Sequence, residues 1–129
     1  MQRFLAAAVA ALWLGPAGAY ESPIDTYDRQ RLALEDAWHL CLETRAQQID
    51  DLVMPVAPIV EEALRRCEPG RAAIERLERE FWGSVLADTE AARVLIDDLG
   101  AIIDRRAIDK LCWAILKVRR ARLSDLAAN

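Results

Sequence analysis

The chain has 129 residues, a formal net charge of −4 and a pI near 5.0. That acidic balance argues against general nucleic-acid binding, which draws on a basic surplus. A hydrophobic share of 53% with only five glycines and five prolines argues against a disordered chain.

The first stretch, Met1–Ala19, reads MQRFLAAAVAALWLGPAGA. One basic residue, Arg3, precedes an uncharged run from Phe4 to Leu14, then Gly15-Pro16 and the small residues Ala17-Gly18-Ala19. This is the layout of a secretory signal peptide with cleavage expected after Ala19. The apolar run is about half of the roughly 20 residues needed to span a bilayer, and it shows no polar face for a soluble helix. No cysteine lies at the cut, so no lipid anchor is indicated. The expected product is a periplasmic or secreted domain, residues 20–129, large enough for one core. It contains no later run that could cross a membrane, and it is not expected to be an integral membrane protein.

Ser22-Pro23-Ile24-Asp25 reads as a helix start, with Ser22 as cap, Pro23 in the first turn and Asp25 at the positive end of the helix dipole. Tyr27, Leu34, Trp38, Cys41, Leu42, Ile49, Leu52 and Val53 then recur at helical spacings, with Arg45 as an interruption. The prolines of Met54-Pro55-Val56-Ala57-Pro58 make a corner. A short amphipathic helix follows, with Ile59, Val60, Ala63, Leu64 and Cys67 on one face, and Glu68-Pro69-Gly70 is expected to end it. A third helix is predicted from about Arg71 to Ala87 through Ile74, Leu77, Phe81 and Val85. Asp88-Thr89-Glu90 starts a fourth segment with Val94, Leu95, Leu99, Ile102 and Ile103. Gly100 fits either a terminator or a close-packing site in a continuous helix. The last helix is predicted from about Asp104 to Leu126, with Ile108, Leu111, Cys112, Ile115, Val118 and Leu123 inward. No period-two segment or repeat occurs, so the expected fold is all-α, an antiparallel bundle of four to five helices.

Charge is unevenly placed. Tyr20–Glu62 carries ten acidic and three basic residues, and Arg105–Asn129 seven basic and two acidic. One reading is mutual neutralisation of the first and last helices; the other is a basic stripe for an anionic partner.

Three cysteines in an exported chain call for a pairing. Cys41 and Cys67 lie at similar distances from the proline corner, so antiparallel helices bring them to nearly the same height on facing apolar stripes. A Cys41–Cys67 disulfide is the expectation; the other arrangements pair one of them with Cys112 or leave free thiols. Cys112 is then a free thiol on an apolar stripe, inert when buried and reactive only in an exposed, electropositive setting.

His39, the single histidine, shares a helix face with Glu43 but not with Cys41, which is ordinary surface chemistry rather than a catalytic arrangement. No C-x-x-C, haem-attachment or H-E-x-x-H spacing occurs, so no metal or other cofactor is expected. Asp50-Asp51, Glu61-Glu62 and Asp97-Asp98 are adjacent pairs whose side chains diverge by about 100° on a helix, and no catalytic residues are assigned. Trp38 and Trp113 read as core or rim, and Trp82 as a partly exposed anchor.

With its leader, a helix-borne Cys41 and a second cysteine in Ala63-Leu64-Arg65-Arg66-Cys67, the chain resembles small exported helical proteins of proteobacteria. The likeness covers about Trp38 to Arg71 and implies export and a paired-cysteine hairpin, with no activity attached. The functional expectation is a non-catalytic helical protein that binds another protein or an envelope component. Its contact residues would be Arg105, Arg106, Arg119, Arg120 and Arg122, with Trp82. The alternative is a thiol-active or ligand-binding protein using Cys112 or a pocket in the bundle.

Overall fold

A computed structural model describes residues 20–129, and the expected signal segment Met1–Ala19 lies outside the described residues. Among them are four helices and no strand: α1 Pro23–Ile49, α2 Val56–Arg66, α3 Glu68–Leu86 and α4 Glu90–Ala127. α1 packs against all three others, and α4 also contacts α2 and α3.

The start of α1 follows its sequence signature. Ser22 Oγ accepts from the Asp25 N–H at 3.2 Å, while Asp25 Oδ2 accepts from the Ser22 N–H at 3.3 Å. This reciprocal box satisfies donors that the first helical turn leaves open. α1 ends at Ile49, earlier than the apolar spacing through Leu52 and Val53 suggests. Two aspartates take over the backbone there. Asp50 Oδ1 accepts from the Leu52 N–H at 2.8 Å, and Asp51 Oδ1 from the Val53 and Met54 N–H groups at 2.9 and 2.7 Å. Such local acceptors compete with helix hydrogen bonding and favour a turn. Leu52 adopts a left-handed φ of 68°, and Val53 is exposed rather than on the buried stripe.

The corner returns the chain as α2, and Cys41 and Cys67 form the expected disulfide, S–S 2.02 Å and Cα–Cα 6.0 Å. Glu68-Pro69-Gly70 does not end α2 in a loop as expected. It forms the first turn of α3, and Cys67 alone separates the two helices. Proline fits this position because a first-turn N–H has no helical acceptor. Gly70 has a packing reason: a Cβ there would lie 2.8 Å from Trp38 Cδ1. α3 therefore passes directly over the Trp38 indole.

Thr89 caps α4, its Oγ1 accepting from the Ala92 N–H at 3.1 Å. The two final segments expected from the sequence are one helix of 38 residues running through Gly100. Gly100 serves close packing. A Cβ would meet Arg71 Nη2 at 3.0 Å, and that guanidinium reaches past it to Asp104, with Nε–Oδ1 at 2.6 Å and Nη2–Oδ2 at 3.0 Å.

The core joins Trp38, Leu42 and Ala46 of α1 to Ile59, Val60 and Ala63 of α2, Cys67, Ile74 of α3, and Ile103, Ala107, Leu111 and Ile115 of α4. Alanines 46, 63 and 107 are almost fully buried, and their small side chains let the helices approach closely. Besides Val53, four residues expected to face inward are exposed instead: Val85, Val94, Ile108 and Leu123. α4 spans ~57 Å against ~40 Å for α1 at ~1.5 Å per residue, so its ends outrun its neighbours. Every residue from Arg120 to Asn129 is exposed.

Candidate functional site

Two features of the surface carry chemistry: the outward face of α4 and a cleft between α1, α3 and α4. The face comes first. Arg105, Arg106 and Arg120 are exposed as the contact-surface expectation requires, together with Lys110 and Lys117. Arg122 is exposed as well but stands on the side of Ile115, beside Leu52 at the corner after α1. Between them stand Trp113 at 76% exposure, Leu116 and Leu123. Trp113 was expected in the core or its rim. On a 3.6-residue period it falls opposite Leu111 and Ile115, the part of the buried stripe of α4 on either side of it, and so it projects to solvent.

Arg119 does not belong to this face. Its Nε and Nη2 donate to Asp50 at 2.8–3.0 Å, and Nη2 also donates to the Met54 carbonyl at 2.6 Å. The pair lies mostly out of solvent and ties the C-terminal half of α4 to the end of α1. Arg106 approaches Glu35 only at 4.0 Å. The acidic first helix and basic last helix thus neutralise each other at Arg119 and weakly at Arg106. Arg105, Lys110, Lys117, Arg120 and Arg122 make no salt bridge among the described residues.

The second feature is a cleft of about 310 Å³, walled by Tyr27, Asp28 and Arg31 of α1, Glu78 and Trp82 of α3, and Leu95, Leu99, Ile102 and Arg106 of α4. Glu78 is only 5% exposed. Its Oε2 accepts from Trp82 Nε1 at 2.8 Å, and no Lys or Arg comes within ion-pair distance among the described residues. Tyr27 stacks on Phe81 with ring centroids 3.8 Å apart and meets Trp82 edge-on at 6.3 Å. Burial and then the Glu78 carboxylate beside it push the Tyr27 hydroxyl above the usual phenol range, so it stays protonated. Arg31 lies 6.0 Å over the Tyr27 ring and pairs with Glu35 at 3.0 Å and Asp28 at 3.6 Å. Trp82 is therefore partly buried as expected, but as a wall of this cleft. It lies on the same cleft as Arg106, whereas Arg105, Arg119, Arg120 and Arg122 do not.

The remaining candidates are dispersed. Cys112 is the free cysteine, half-buried and packed against the core. His39 is half-buried with its ring 5.8 Å from that of Trp38. Burial first, and then Lys110, lowers its basicity below that of a free imidazole. It lines a separate space of about 220 Å³ with Glu35, Arg106 and Lys110. Trp38 Nε1 is a buried donor without a hydrogen-bond partner, a cost of about 1–3 kcal/mol set against the burial of its ring. The carboxylate pairs diverge: Glu62 meets Arg65 and Arg66, while Glu61, Asp97 and Asp98 are exposed. Among the described residues no three His, Cys, Asp or Glu side chains are placed to hold a metal, and no helix is long and apolar enough to cross a membrane.

Glu78 was not singled out in the sequence. Its spacing of four from Trp82 carries the signal, since this places an indole N–H beside a carboxylate on one helix face. Comparison with protein-family models, with curated proteins and with solved structures finds no match.

Proposed function

We propose that the chain is an exported, disulfide-stapled helical protein that acts by contact rather than catalysis and docks on an anionic phospholipid surface of the cell envelope through the outward face of α4. One observation carries the reading: Trp113, Leu116 and Leu123 are exposed between basic residues that have no acidic partner. Such a face buries apolar side chains at the acyl boundary while Lys and Arg meet lipid phosphates. The overall charge of −4 sharpens the contrast, because basic residues outnumber acidic ones seven to two in Arg105–Asn129 while the molecule as a whole is acidic. The Cys41–Cys67 bond suits an oxidising compartment.

Co-sedimentation with vesicles tests this. The oxidised protein is expected to pellet with vesicles containing phosphatidylglycerol and to remain in solution with pure phosphatidylcholine, with binding weakened by salt. Lys117→Glu with Arg120→Glu, or Trp113→Ser, should each weaken binding about tenfold or more without lowering helix content. Equal binding to both vesicle types, no binding, or variants that bind as the parent does would exclude this surface. Capture of an acidic protein by an α4 face indifferent to lipid would move the assignment to a protein partner.

A further inference from the structure

We infer that the cleft around Glu78 is a binding site for a small zwitterion of the amino-acid class, with its ammonium at Glu78, its carboxylate at Arg106 and its apolar side chain against Leu99 and Ile102. The site shares Arg106 with the basic residues of α4 but opens between α1, α3 and α4, away from Trp113, Leu116 and Leu123.

The starting point is a charge without a counter-charge. Glu78 is almost fully buried and accepts from the Trp82 indole N–H and from the Tyr27 hydroxyl, but no cation is within ion-pair distance among the described residues. Taking a carboxylate out of water is costly unless it is paired and hydrogen-bonded. The molecule's other well-shielded carboxylate, Asp50, illustrates the contrast, because it is clamped by Arg119. Glu78 instead lines an open space of about 310 Å³. That volume stands at the lower end of the roughly 300–1,000 Å³ of small-molecule sites, and it suits a compact ligand.

The neighbours of Glu78 narrow the chemistry. Trp82 offers ring surface to an ammonium group beside the carboxylate, whereas the Tyr27 ring already stacks on Phe81 and lies under Arg31. A simple cation would also meet Arg31 and Arg106. Arg31 is already occupied by Glu35 and Asp28, whereas Arg106 is 62% exposed and approaches Glu35 only at 4.0 Å. Arg106 is therefore the guanidinium free to take a carboxylate. The charged lining, Asp28 and Glu78 against Arg31 and Arg106, sums to zero, as a net-neutral ligand with separated charges requires. Leu95, Leu99 and Ile102 provide the apolar remainder. Perturbed or unpaired ionisable groups in a concave site are the ordinary mark of ligand binding.

Three probes on one skeleton separate the contributions: phenylalanine, phenethylamine, which carries the ammonium alone, and 3-phenylpropionate, which carries the carboxylate alone. Each is titrated into the oxidised protein by calorimetry and followed at the Trp82 indole N–H resonance, assigned by substitution. Phenylalanine is expected to bind and shift that resonance, phenethylamine to bind more weakly, and 3-phenylpropionate not to bind. Glu78→Gln keeps an acceptor for Trp82 and should weaken phenylalanine at least tenfold. Arg106→Ala, at an exposed position, should reduce phenylalanine to the level of phenethylamine. The inference is overturned if none of the three binds at millimolar concentration, if 3-phenylpropionate binds as well as phenylalanine, or if phenethylamine binds more tightly. It is equally overturned if Arg106→Ala leaves phenylalanine unaffected, an outcome readable even if Glu78→Gln does not fold. Vesicle binding is read separately, so failure of one assignment leaves the other standing.

Discussion

Arg119 on α4 grips Asp50 at the end of α1 with Nε and Nη2, 69 positions apart in the chain, and its Nη2 also caps the Met54 carbonyl. Asp50 meanwhile accepts from the Leu52 N–H, so one carboxylate ends a helix, shapes the corner and anchors the last helix. This junction turns part of the basic tail inward and leaves the rest of α4 beyond it exposed, with Leu52 its neighbour from the corner.

Asp50→Ala is expected to cost more than a surface ion pair does, because it leaves Arg119 and the Leu52 N–H unpaired in a shielded corner. A fall in Tm of roughly 5 °C or more in thermal unfolding is the expected result for a domain of this size. Arg120→Ala, a few ångströms along the same helix but free in solvent, should leave Tm unchanged.

Acid should weaken the fold for the same reason. The Arg119 hydrogen bonds hold the Asp50 carboxyl below its ordinary range, Arg79 does the same to Glu75, and Arg65 with Arg66 brings Glu62 down to about 2. A carboxyl with a depressed folded pKa adds stability that is complete above its unfolded value, about 4, and is lost as pH falls through the folded value. Denaturant midpoints should therefore drop between about pH 4 and pH 2, and Asp50→Asn should flatten that drop. A midpoint that rises on acidification would contradict this ion-pair account.

Helix content and the disulfide were legible because both rest on local periodicity and a corner made by prolines. Ser22, Pro23 and Asp25 carried enough information to place the start of α1 to the residue. What escaped depended on tertiary neighbours. Gly100 could end a helix or serve close contact, and only Arg71 reaching from α3 to Asp104 decides between them. Trp113 is the exception: Leu111, Trp113 and Ile115 all lie within the helix expected from Asp104 to Leu126, so its azimuth opposite the buried stripe was already legible, and its apolar side chain misled. Glu78 looked like one more charge on a polar face until Tyr27 of α1 and the middle of α4 closed over it.

Thiol counting checks the staple. In denaturant without reductant one thiol per chain should react, and three after reduction. In the native state Cys112 should label more slowly than in denaturant, since it packs against the core. Cys41→Ser with Cys67→Ser should lower stability by ~3 kcal/mol, as expected for a loop closed over 26 positions.

His39 gives a second pH signature. Its basicity is lowered chiefly by burial and then by Lys110, so its folded pKa should lie below the ordinary value of 6.5. Favouring the neutral ring contributes stability above pH 6.5 that is lost as pH falls through the folded value. As the single histidine, its ring resonance can be titrated by NMR without assignment. Lys110→Ala should move the midpoint upward, and a midpoint that stays fixed would remove Lys110 from the account.

Gly70→Ala tests the tightness of the crossing of α3 over Trp38. In an open helix alanine would stabilise by up to about 1 kcal/mol. Here its Cβ would sit 2.8 Å from Trp38 Cδ1 and 3.2 Å from Trp38 Cβ, and the indole is too enclosed to swing away. Overpacking of this kind typically costs about 1–3 kcal/mol, so the net effect should be destabilising. Gly83 supplies the control: nothing lies within 4 Å of an added Cβ there, and Gly83→Ala should stabilise. If Gly70→Ala also stabilised the protein in denaturant titrations, α3 would have to stand farther from α1, and the disulfide-anchored turn at Cys67 would not be setting their separation.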